Sequence, residues 1–592
     1  TGEDLGQVRC NLRGSIPAGS WQTCRLTYTA GFAGIDDTGS LKIVMRYVTD
    51  CGTPQFTNPA AAHYTTAEAS NGAELELRYD PKDNLRPWGR TLRVKVVQGF
   101  LKQGETITLT LGDRSGGSPG WRVQTFAARR FQLKVLVDPY ATVGYRSVAR
   151  SPSFRIVAGD PVRLVAVAPS SAAVGKPIVV RWKLEDAWGN PVGRARKLKH
   201  PGFSEPCVRP ITVRDESSGF SAETNPVVVD EGHGYGRFWA DLHGQSEETV
   251  GTGSIEEYFR FGRDQAFLDI CAHQGNDFQI TDAFWKTIQR TTRDFNAPGR
   301  YVTFPGWEWS GNTGLGGDRN VLFRREGGPI HRSSRALVTP HESGEPISET
   351  VEDLFERLEG IEPEAMLIAH VGGRYADLER HREGLERAVE VHSAWGTFEW
   401  MLDDAFRLGY RVAIVANSDG HKGRPGASYP GASTFGSYGG LTCVLAKSLD
   451  RASVWEAYAR RRVYASTGAR IMLDLTTDLG AEMGDVVEAT DGIPRFDVSV
   501  YGTAPIERVE LRNGMEVLKT FRPYGRGDLA DRIKLTWEGA TVRGRGRQVN
   551  WDGGLALSGN SIAGFTPVNF YNIEKTFRSL LQKSIFFIFS NI

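Results

Sequence analysis

The spacing of apolar residues changes near residue 236, and this change divides the chain. In the first part, short apolar segments such as residues 41–48, 106–111 and 131–137 have strand-like spacing, and pairs of Gly, Asp and Pro separate them. Helical patterns are nearly absent. The pattern predicts an antiparallel β-sandwich over residues 1–155.

A second β module is predicted over residues 156–232. It contains the strand pattern of residues 178–184, which is followed by a turn signal in which Gly189, Asn190 and Pro191 are consecutive. This turn resembles the inter-strand turn of bacterial immunoglobulin-like repeats. We therefore expect an immunoglobulin-like module.

Strand-like and helix-like segments alternate over residues 236–470. Residues 238–243 have a strand pattern, and Ser254 and Glu257 form the capping-box signature that begins a helix. The alternation is typical of β/α units that build a largely parallel sheet or barrel. Residues 471–592 return to a β pattern and end in a loosely amphipathic segment, which predicts a C-terminal β module with a helical tail.

Polar residues suited to metal binding stand at the ends of the predicted strands. Such strand-end residues are His243, His273, Glu308, His370, Glu390, His392, Asp419 and His421. The carboxyl-terminal ends of strands converge on one face in β/α folds, so we expect these side chains to lie together. A single strand-end His is usually structural. Five of the chain's eleven His residues lie at these ends, however, and this repetition predicts a metal site.

Composition limits the partners and the compartment. The formal net charge is +1, which gives no reason to expect a nucleic acid or a membrane surface as partner. No apolar run is long enough to span a bilayer. None of the six cysteines forms a Cys-x-x-Cys pair, and Cys10, Cys24 and Cys51 cluster where one disulfide can form. We expect a soluble protein of the cytoplasm or periplasm, and the oligomeric state stays open.

Three strings in the central region resemble the PHP (polymerase and histidinol phosphatase) superfamily. They are residues 241–246, 392–400 and 417–421, and the resemblance covers about residues 236–470. It is nearest to a bacterial PHP-like family of unknown function, and carbamate-cleaving hydrolases form a related branch. The resemblance implies a multidomain protein in which a distorted (β/α)7 PHP-like barrel is flanked by all-β sandwich modules.

The resemblance also implies a ligand set for up to three divalent metal ions. Carried over residue by residue, this set is His243, His273, Glu308, His370, Asp419 and His421, with Glu308 as the bridging carboxylate. This chain departs from the family pattern, because Gln245 replaces a His and Ala272 replaces an Asp. Asp277 is the candidate substitute for the lost Asp, and Asp318 stands for a third family residue, the His of the loop before the next strand. We therefore expect one or two divalent metal ions, and imidazole and carboxylate ligands without thiolate suit Mn, Zn or Fe.

These expectations predict a divalent-metal-dependent hydrolase that uses a metal-bound hydroxide. The predicted substrate is a phosphoester of a small anionic molecule. A carboxylic ester, carbamate or amide bond cleaved at the same metal site is the alternative, and a non-catalytic, metal-stabilised binding protein is the third reading.

The same reading assigns roles to residues around the metal site. His392 and Asp277 are the candidate general acids, and Arg374 completes the catalytic set; a structural hydrogen bond is the competing explanation for His392. Arg319 and Lys422 are predicted to bind an anionic substrate, against the alternative of solvated loop charges. Trp309 and Trp395 are predicted to stack on the substrate, against the alternative of packing.

Overall fold

The structure is a computed structural model that describes part of the chain. The described residues are 4–232, 234–335, 337–338, 347–426, 438–488, 494–536, 543, 549–564, 578–581 and 584–591.

The N-terminal region is built of strands. They are β1 (Gln7–Cys10), β2 (Ser15–Pro17), β3 (Trp21–Gln22), β4 (Cys24–Thr29), β5 (Ser40–Arg46), β6 (Thr65–Ala69), β7 (Glu74–Asp80), β8 (Trp88–Gln98), β9 (Thr106–Leu111), β10 (Trp121–Arg122), β11 (Ala128–Gln132), β12 (Lys134–Asp138), β13 (Arg146–Ser147) and β14 (Ser153–Val157). The two largest sheets have the orders β1-β4-β9-β6 and β13-β12-β5-β8-β7, and all their neighbouring strands are antiparallel. Alternate residues of β8 and β9 are buried, so one face of each strand contributes to the core.

A smaller β module follows. Its strands are β15 (Arg163–Val167), β16 (Ser171–Ala173), β17 (Ile178–Glu185), β18 (Pro191–His200), β19 (Cys207–Arg209), β20 (Thr212–Arg214), β21 (Ser221–Glu223) and β22 (Val227–Asp230). Two three-stranded sheets, β15-β17-β18 and β16-β22-β19, enclose a core that includes Val180, Trp182 and Val229.

The central region contains the five α-helices of the described residues. Its helices are α1 (Ile255–Asp264), α2 (Asp282–Phe295), α3 (Val351–Leu358), α4 (Glu399–Arg407) and α5 (Arg451–Ala459). Its strands are β23 (Gly236–Asp241), β24 (Ile270–Ala272), β25 (Val302–Phe304), β26 (Gly306–Ser310), β27 (Asp318–Phe323), β28 (Ala365–Ala369), β29 (Glu386–Ser393), β30 (Gly396–Thr397), β31 (Ala413–Ala416), β32 (Leu441–Ala446) and β33 (Val463–Ser466). The predicted capping box of Ser254 and Glu257 is present at the start of α1.

The predicted (β/α)7 barrel is wrong. Strand accounts for 38% of the described residues and helix for 11%, and the central strands form two sheets, ordered β25-β24-β23-β32-β33 and β26-β27-β28-β29-β30, with β31 paired to β29. A (β/α)7 barrel needs parallel neighbours joined by helical crossovers. Here β32 is antiparallel to β23 and β33, and β27 is antiparallel to β26 and β28.

The C-terminal region returns to strands. They are β34 (Met472–Thr477), β35 (Phe496–Tyr501), β36 (Val509–Asn513), β37 (Glu516–Phe521), β38 (Val549–Ala556), β39 (Arg578–Leu581) and β40 (Ser584–Asn591). Where the structure describes the end of the chain, strands replace the predicted helical tail. Residues 585–589 are Ile and Phe only, and such residues favour strands. No helix among the described residues is long and apolar enough to cross a membrane.

The N-terminal sandwich packs against the strand-end loops of the central region. Val48 and Phe126 share a small buried apolar cluster with Val250 and Ala394 of the central region. The Arg46 guanidinium adds a hydrogen bond of 2.7 Å to the backbone oxygen of Glu247. The loops that carry the candidate metal ligands are therefore covered in part by the sandwich.

Candidate metal centre

Backbone hydrogen bonds tie the strand-end loops of the two central sheets together. The Gln245 amide donates to the Gly420 oxygen at 2.8 Å, and the Gln274 amide donates to the Gly244 oxygen at 2.8 Å. The Glu308 amide then donates to the Gly275 oxygen at 2.9 Å. These bonds bring the ends of β23, β24, β26 and β31 to one place, although the strands belong to different sheets.

Three buried residues meet there in an arrangement that can hold a metal ion. His243, His370 and Glu390 each offer one ligand atom, and these atoms lie within 4.8 Å of one another. The His243 Nδ1 lies 3.1 and 3.2 Å from the two Glu390 carboxylate oxygens. The His243 and His370 rings pack edge to face at 4.3 Å between centroids.

Asp419 lies on the other side of His243. Its Oδ1 is 3.3 Å from the His243 Nε2, but these two atoms do not form a hydrogen bond. Asp419 has a φ of 43°, in the left-handed region that few residues other than Gly and Asn or Asp adopt. Such backbone conformations cluster at functional sites.

Several buried donor and acceptor atoms of this group have no hydrogen-bond partner in the described structure. They are His243 Nε2, both ring nitrogens of His370, and Asp419 Oδ1. Buried polar atoms are nearly always satisfied, because an unpaired one costs about 1–3 kcal/mol. Metal coordination would satisfy these atoms.

Gly372 leaves space at the same point. A Cβ built on this residue would lie 2.9 Å from the Asp318 Oδ2, 3.3 Å from the His370 Cε1 and 3.5 Å from the Asp419 Oδ2. Any side chain here would fill the gap between the three groups. The absence of a Cβ therefore keeps this small space open.

Two amide side chains orient Glu308 toward His370. The Gln245 Nε2 donates to the Glu308 Oε2 at 3.1 Å, and the Asn276 Nδ2 donates to the same oxygen at 2.8 Å. The other oxygen, Oε1, lies 3.9 Å from the His370 Nε2. Gln245 therefore helps to position a carboxylate.

Asp318 and Arg374 form a buried ion pair beside the cluster. The Arg374 Nε and Nη2 each lie 2.7 Å from the Asp318 Oδ1, and the Arg374 amide donates to Oδ2 at 2.9 Å. Asp318 is the first residue of β27. The pair places a guanidinium next to the carboxylate-rich pocket.

Burial and crowding of like charges dominate the electrostatics of the carboxyl groups. Burial raises the pKa of Glu308, Asp318 and Asp419, the last to about 7. Neighbouring carboxylates raise the pKa of Glu308 and Asp419 further. Burial therefore favours the protonated form of these three carboxyl groups.

The two cluster imidazoles respond in opposite ways. Burial lowers the pKa of His243, but the carboxylates of Asp419 and Glu390 outweigh it and raise the pKa to about 10. Burial, with the positive charges of His243 and Arg374, lowers the pKa of His370 well below its usual value. His370 is therefore neutral, which is the form that binds metals.

Two other predicted ligands, His273 and His421, lie outside the three-residue cluster. The Ser246 amide donates to the His273 Nε2 at 3.2 Å, so this nitrogen already acts as an acceptor. The His421 Nδ1 donates to the backbone oxygen of Asp419 at 2.8 Å. Burial lowers the pKa of both imidazoles to about 3, so both are neutral.

The predicted general acids have structural partners. His392 contacts the Thr397 hydroxyl at 2.7 Å through Nδ1 and the Tyr438 backbone oxygen at 2.8 Å through Nε2. The Asp277 carboxylate accepts the backbone amides of Ser310, at 2.8 Å, and Ser333. Burial raises the pKa of Asp277 to about 6. These contacts favour the structural explanation for His392.

A β-bulge separates Glu390 from His392. Residues two apart on a strand normally share a face. The register between β29 and β31 shifts between these two residues, however, since Glu390 pairs with Val415 and His392 pairs with Ala416. The strand-end pattern singled out Glu390 but did not include it among the ligands, and only the bulge decides which of the two side chains reaches His243.

Two of the predicted substrate contacts, Arg319 and Trp309, are in the protein interior. The Arg319 Nε lies 2.7 Å from Glu386 Oε1, and its Nη2 donates to the backbone oxygens of Asp377 and Arg380 at 2.8 Å each. Trp309 is fully buried, and its indole donates to the Ser348 oxygen at 3.2 Å. These contacts favour packing and structural roles over the predicted substrate contacts.

The other two predicted substrate contacts, Lys422 and Trp395, lie toward the N-terminal sandwich. Lys422 is buried over the Phe126 ring, at 5.5 Å from its centroid, and this position does not support the predicted contact with a substrate at the cluster. Trp395 packs edge to face against His421, with 6.5 Å between centroids. Of the four residues predicted to contact substrate, Trp395 is the one whose position beside His421 is consistent with that prediction.

Comparisons with known proteins agree on the central region and give no activity. The family described as "Protein of unknown function (DUF3604)" matches residues 234–372 and 412–490, which is less than half of the chain. The match includes His243, His370 and Asp419, whereas Glu390 lies between its two segments.

Two relatives extend over more of the chain. An uncharacterized protein of Chlamydia pneumoniae is 24% identical over 493 residues, which are 72% of this chain and 76% of that protein. An uncharacterized protein of Chlamydia trachomatis is 23% identical over 492 residues, with the same two shares. The resemblance to the PHP superfamily stays a prediction.

One solved structure is a distant match. It is the cohesin module from a Clostridium perfringens family 33 glycoside hydrolase, with 11% identity and a TM-score of 0.17, and the match covers 26% of this chain and 97% of that module.

Proposed function

We propose that this chain is a divalent-metal-dependent hydrolase. The observation that carries the proposal is the buried group of His243, His370, Glu390 and Asp419, whose ring nitrogens and carboxylate oxygen include atoms with no hydrogen-bond partner among the described residues. Imidazole and carboxylate donors without thiolate suit Mn²⁺, Zn²⁺ or Fe²⁺.

The charge of the pocket fits a bound cation. Four carboxyl groups, those of Glu308, Asp318, Glu390 and Asp419, lie beside the cationic side chains of Arg374 and His243. Burial is the largest cause of the raised pKa of Glu308, Asp318 and Asp419. A divalent cation would stabilise the ionised form of these buried carboxylates. His243, His370, Glu390 and Asp419 would hold it, and Glu308 is the nearest further ligand.

The cation would supply the reactive chemistry. When bound, it acts as a Lewis acid and brings the pKa of water at the site toward neutrality. Gln245 and Asn276 hold the Glu308 carboxylate in one orientation, and Asn417 does the same for Glu390 through a bond of 2.7 Å. Partners of this kind tune the affinity of metal sites about 10–100-fold.

Arg374 favours a phosphoester as the substrate. Its Nε and Nη2 are engaged by Asp318, whereas its Nη1 has no hydrogen bond to any residue that the structure describes. A guanidinium held in this way can donate to an anionic oxygen of a small phosphoester. Carboxylic ester, carbamate and amide bonds remain the alternative, since the same cluster can act on an uncharged carbonyl.

The test is metal content, measured by mass spectrometry on the purified full chain after incubation with Mn²⁺, Zn²⁺ or Fe²⁺. Wild type is expected to retain one or two equivalents, and Asp419→Asn and His370→Ala are expected to lose them. Asp419→Asn is the sharper variant, because Asn also tolerates a positive φ. His200→Gln, in the second β module, is the control and should keep the metal.

Activity is then measured on panels of phosphoesters, carboxylic esters, carbamates and amides. Turnover that requires the metal and is lost in Asp419→Asn supports the proposal. A protein that binds no metal, or whose Asp419→Asn variant retains full metal content, refutes it. Metal binding without turnover on any panel would instead support a metal-stabilised binding protein.

A further inference from the structure

A groove between the second β module and the central region concentrates positive charge. Its volume is about 1250 Å³. One wall is β18 of the β module, and the other is α1 with the loop at Arg300. This volume exceeds the roughly 300–1,000 Å³ of a site for one small molecule. The groove therefore has room for an extended ligand.

The charge of the groove differs from that of the whole chain. The lining contains twelve basic residues: Arg129, Arg181, Arg194, Arg196, Lys197, Arg237, Arg260, Arg263, Arg300, Lys422, Arg424 and Lys447. It contains four acidic residues: Asp230, Glu257, Asp264 and Asp269. The excess of eight positive charges stands against a net charge of +1 for the chain. Folding has gathered charges that are balanced along the sequence.

Part of this charge is already neutralised within the groove. Three of the four acidic residues each lie beside an arginine: Arg129 is 2.9 Å from Glu257, Arg263 is 2.8 Å from Asp264, and Arg181 is 3.8 Å from Asp269. Asp230 is then the one acidic residue of the lining that is left to balance the other nine basic residues.

Five exposed cations of the lining have no carboxylate partner within ion-pair distance in the described ranges. They are Arg194, Lys197, Arg260, Arg300 and Lys447. Arg194 and Lys197 stand on β18, and Arg260 stands on α1 across the groove. Both walls thus present charge toward the space between them, and clefts lined by one sign of charge attract ligands of the opposite sign.

Three of the four aromatic residues of the lining have a cation over the ring, which limits their use for stacking on bases. Arg181 lies over the Phe267 ring at 5.1 Å, Lys183 lies over the Phe261 ring at 5.7 Å, and Arg462 lies over Tyr235 at 4.6 Å. Single-stranded nucleic acids are bound largely through stacking on aromatic faces. Among the described residues, Phe238 is the one aromatic residue of the lining without a cation over its ring, so the groove offers little surface for stacking.

The uncharged residues of the lining favour a polymeric ligand in which charged groups alternate with uncharged ones. More than half of the lining residues are uncharged, and they include the hydroxyl groups of Ser171 and Thr252. An acidic oligosaccharide carries hydroxyl groups between its carboxylate or sulfate groups, whereas polyphosphate is charged at each unit.

We propose that this groove binds an acidic oligosaccharide, with its carboxylate or sulfate groups held by Arg194, Lys197, Arg260 and Arg300. This site is separate from the metal cluster, and binding does not depend on the metal. Arginine suits the ligand because its planar fork matches carboxylate and sulfate oxygens in pairs.

The experiment measures fluorescence anisotropy of a labelled heparin-derived oligosaccharide, and of an oligogalacturonate, titrated with the full chain. Binding is expected for at least one of them and should weaken as ionic strength rises. Arg194→Glu/Lys197→Glu is expected to weaken binding about tenfold or more, and Arg260→Glu/Arg300→Glu should do the same from the opposite wall.

The control is Arg9→Glu/Arg411→Glu, which reverses two exposed arginines outside the groove and changes the net charge equally. It should bind as wild type does, and all three double variants should keep the melting temperature, because the replaced side chains are exposed. Asp419→Asn should also bind normally, so failure of the metal proposal leaves this one intact.

Three results would overturn the proposal. The first is absence of binding to both oligosaccharides at low ionic strength. The second is equal loss of affinity in the control and in the groove variants. The third is tighter binding of single-stranded DNA or polyphosphate than of either oligosaccharide.

Discussion

Replacing Gly372 by Ala tests the candidate metal centre with the smallest possible change. The new Cβ would lie 2.9 Å from the Asp318 Oδ2, a distance that real Cβ atoms rarely show, and within 3.5 Å of His370 and Asp419. Gly372 does not have a positive φ, so the backbone itself tolerates Ala. The effect is therefore confined to the space between these side chains.

The expected loss of metal affinity depends on how easily Asp318 can move away from the new Cβ. Asp318 cannot swing away freely, because Arg374 holds it through its side chain at 2.7 Å and its backbone amide at 2.9 Å. Overpacking of this kind costs about 1–3 kcal/mol. If the metal-bound state carries that cost, metal affinity falls about fivefold to 150-fold, since 1.4 kcal/mol is a factor of ten in a binding constant.

The assay is metal affinity, measured by competition with a chelator of known affinity, on the wild type and on Gly372→Ala. Gly314→Ala is the matched control, because a Cβ there meets no atom within 4 Å. Urea unfolding of the metal-free proteins shows whether the fold has changed. Wild-type affinity in Gly372→Ala, with an unchanged fold, would refute the reasoning that the metal binds in this space.

Three other predictions test features away from the cluster. Arg319→Met should destabilise the protein by about 3–5 kcal/mol in urea unfolding, because it leaves Glu386 buried without its guanidinium, yet metal content should not change. Mild oxidation should join Cys10 and Cys24, whose Sγ atoms are 3.7 Å apart, and peptide mass spectrometry should detect the disulfide in wild type but not in Cys24→Ser. Burial and the charge of Arg357 lower the pKa of His331 to about 4, so the unfolded chain binds the extra proton first as pH falls from about 6.5 to 4, and stability is lost in that window. His331→Gln should lose less stability between pH 7 and pH 5 than wild type does, and an equal loss would contradict this assignment.

Sequence patterns predicted local structure correctly where residues close together in the chain determine it. Ser254 and Glu257 form a capping box because both partners belong to the same turn of helix. His243, His370, Glu308 and Asp419 were also predicted together, because each follows or ends a strand with a polar residue suited to a metal. The structure brings these four close, and the predicted ligand His421 also lies near them, with 3.7 Å between its Nδ1 and the Asp419 Oδ1.

The barrel prediction failed because alternation of strands and helices does not specify which strands pair. Strand β32 lies antiparallel to β23, its partner from about two hundred residues earlier in the chain, and β27 lies antiparallel to both of its neighbours. The local sequence of these segments does not show whether a strand runs parallel or antiparallel to its neighbour, because buried strands of both kinds can have the same apolar composition.

The sequence by itself determined the chemistry of the donors: imidazole and carboxylate groups at strand ends, without thiolate, in a chain of balanced charge. Only the tertiary structure decided which donors meet, because a one-residue bulge in β29 turns Glu390 toward His243 and leaves His392 bonded to Thr397. It also decided the charge of the groove, because residues far apart in sequence, such as Arg194 and Arg300, share one space only after folding. The physical reason is the same in both cases: side-chain type is a local property, whereas distance and register depend on contacts between distant segments.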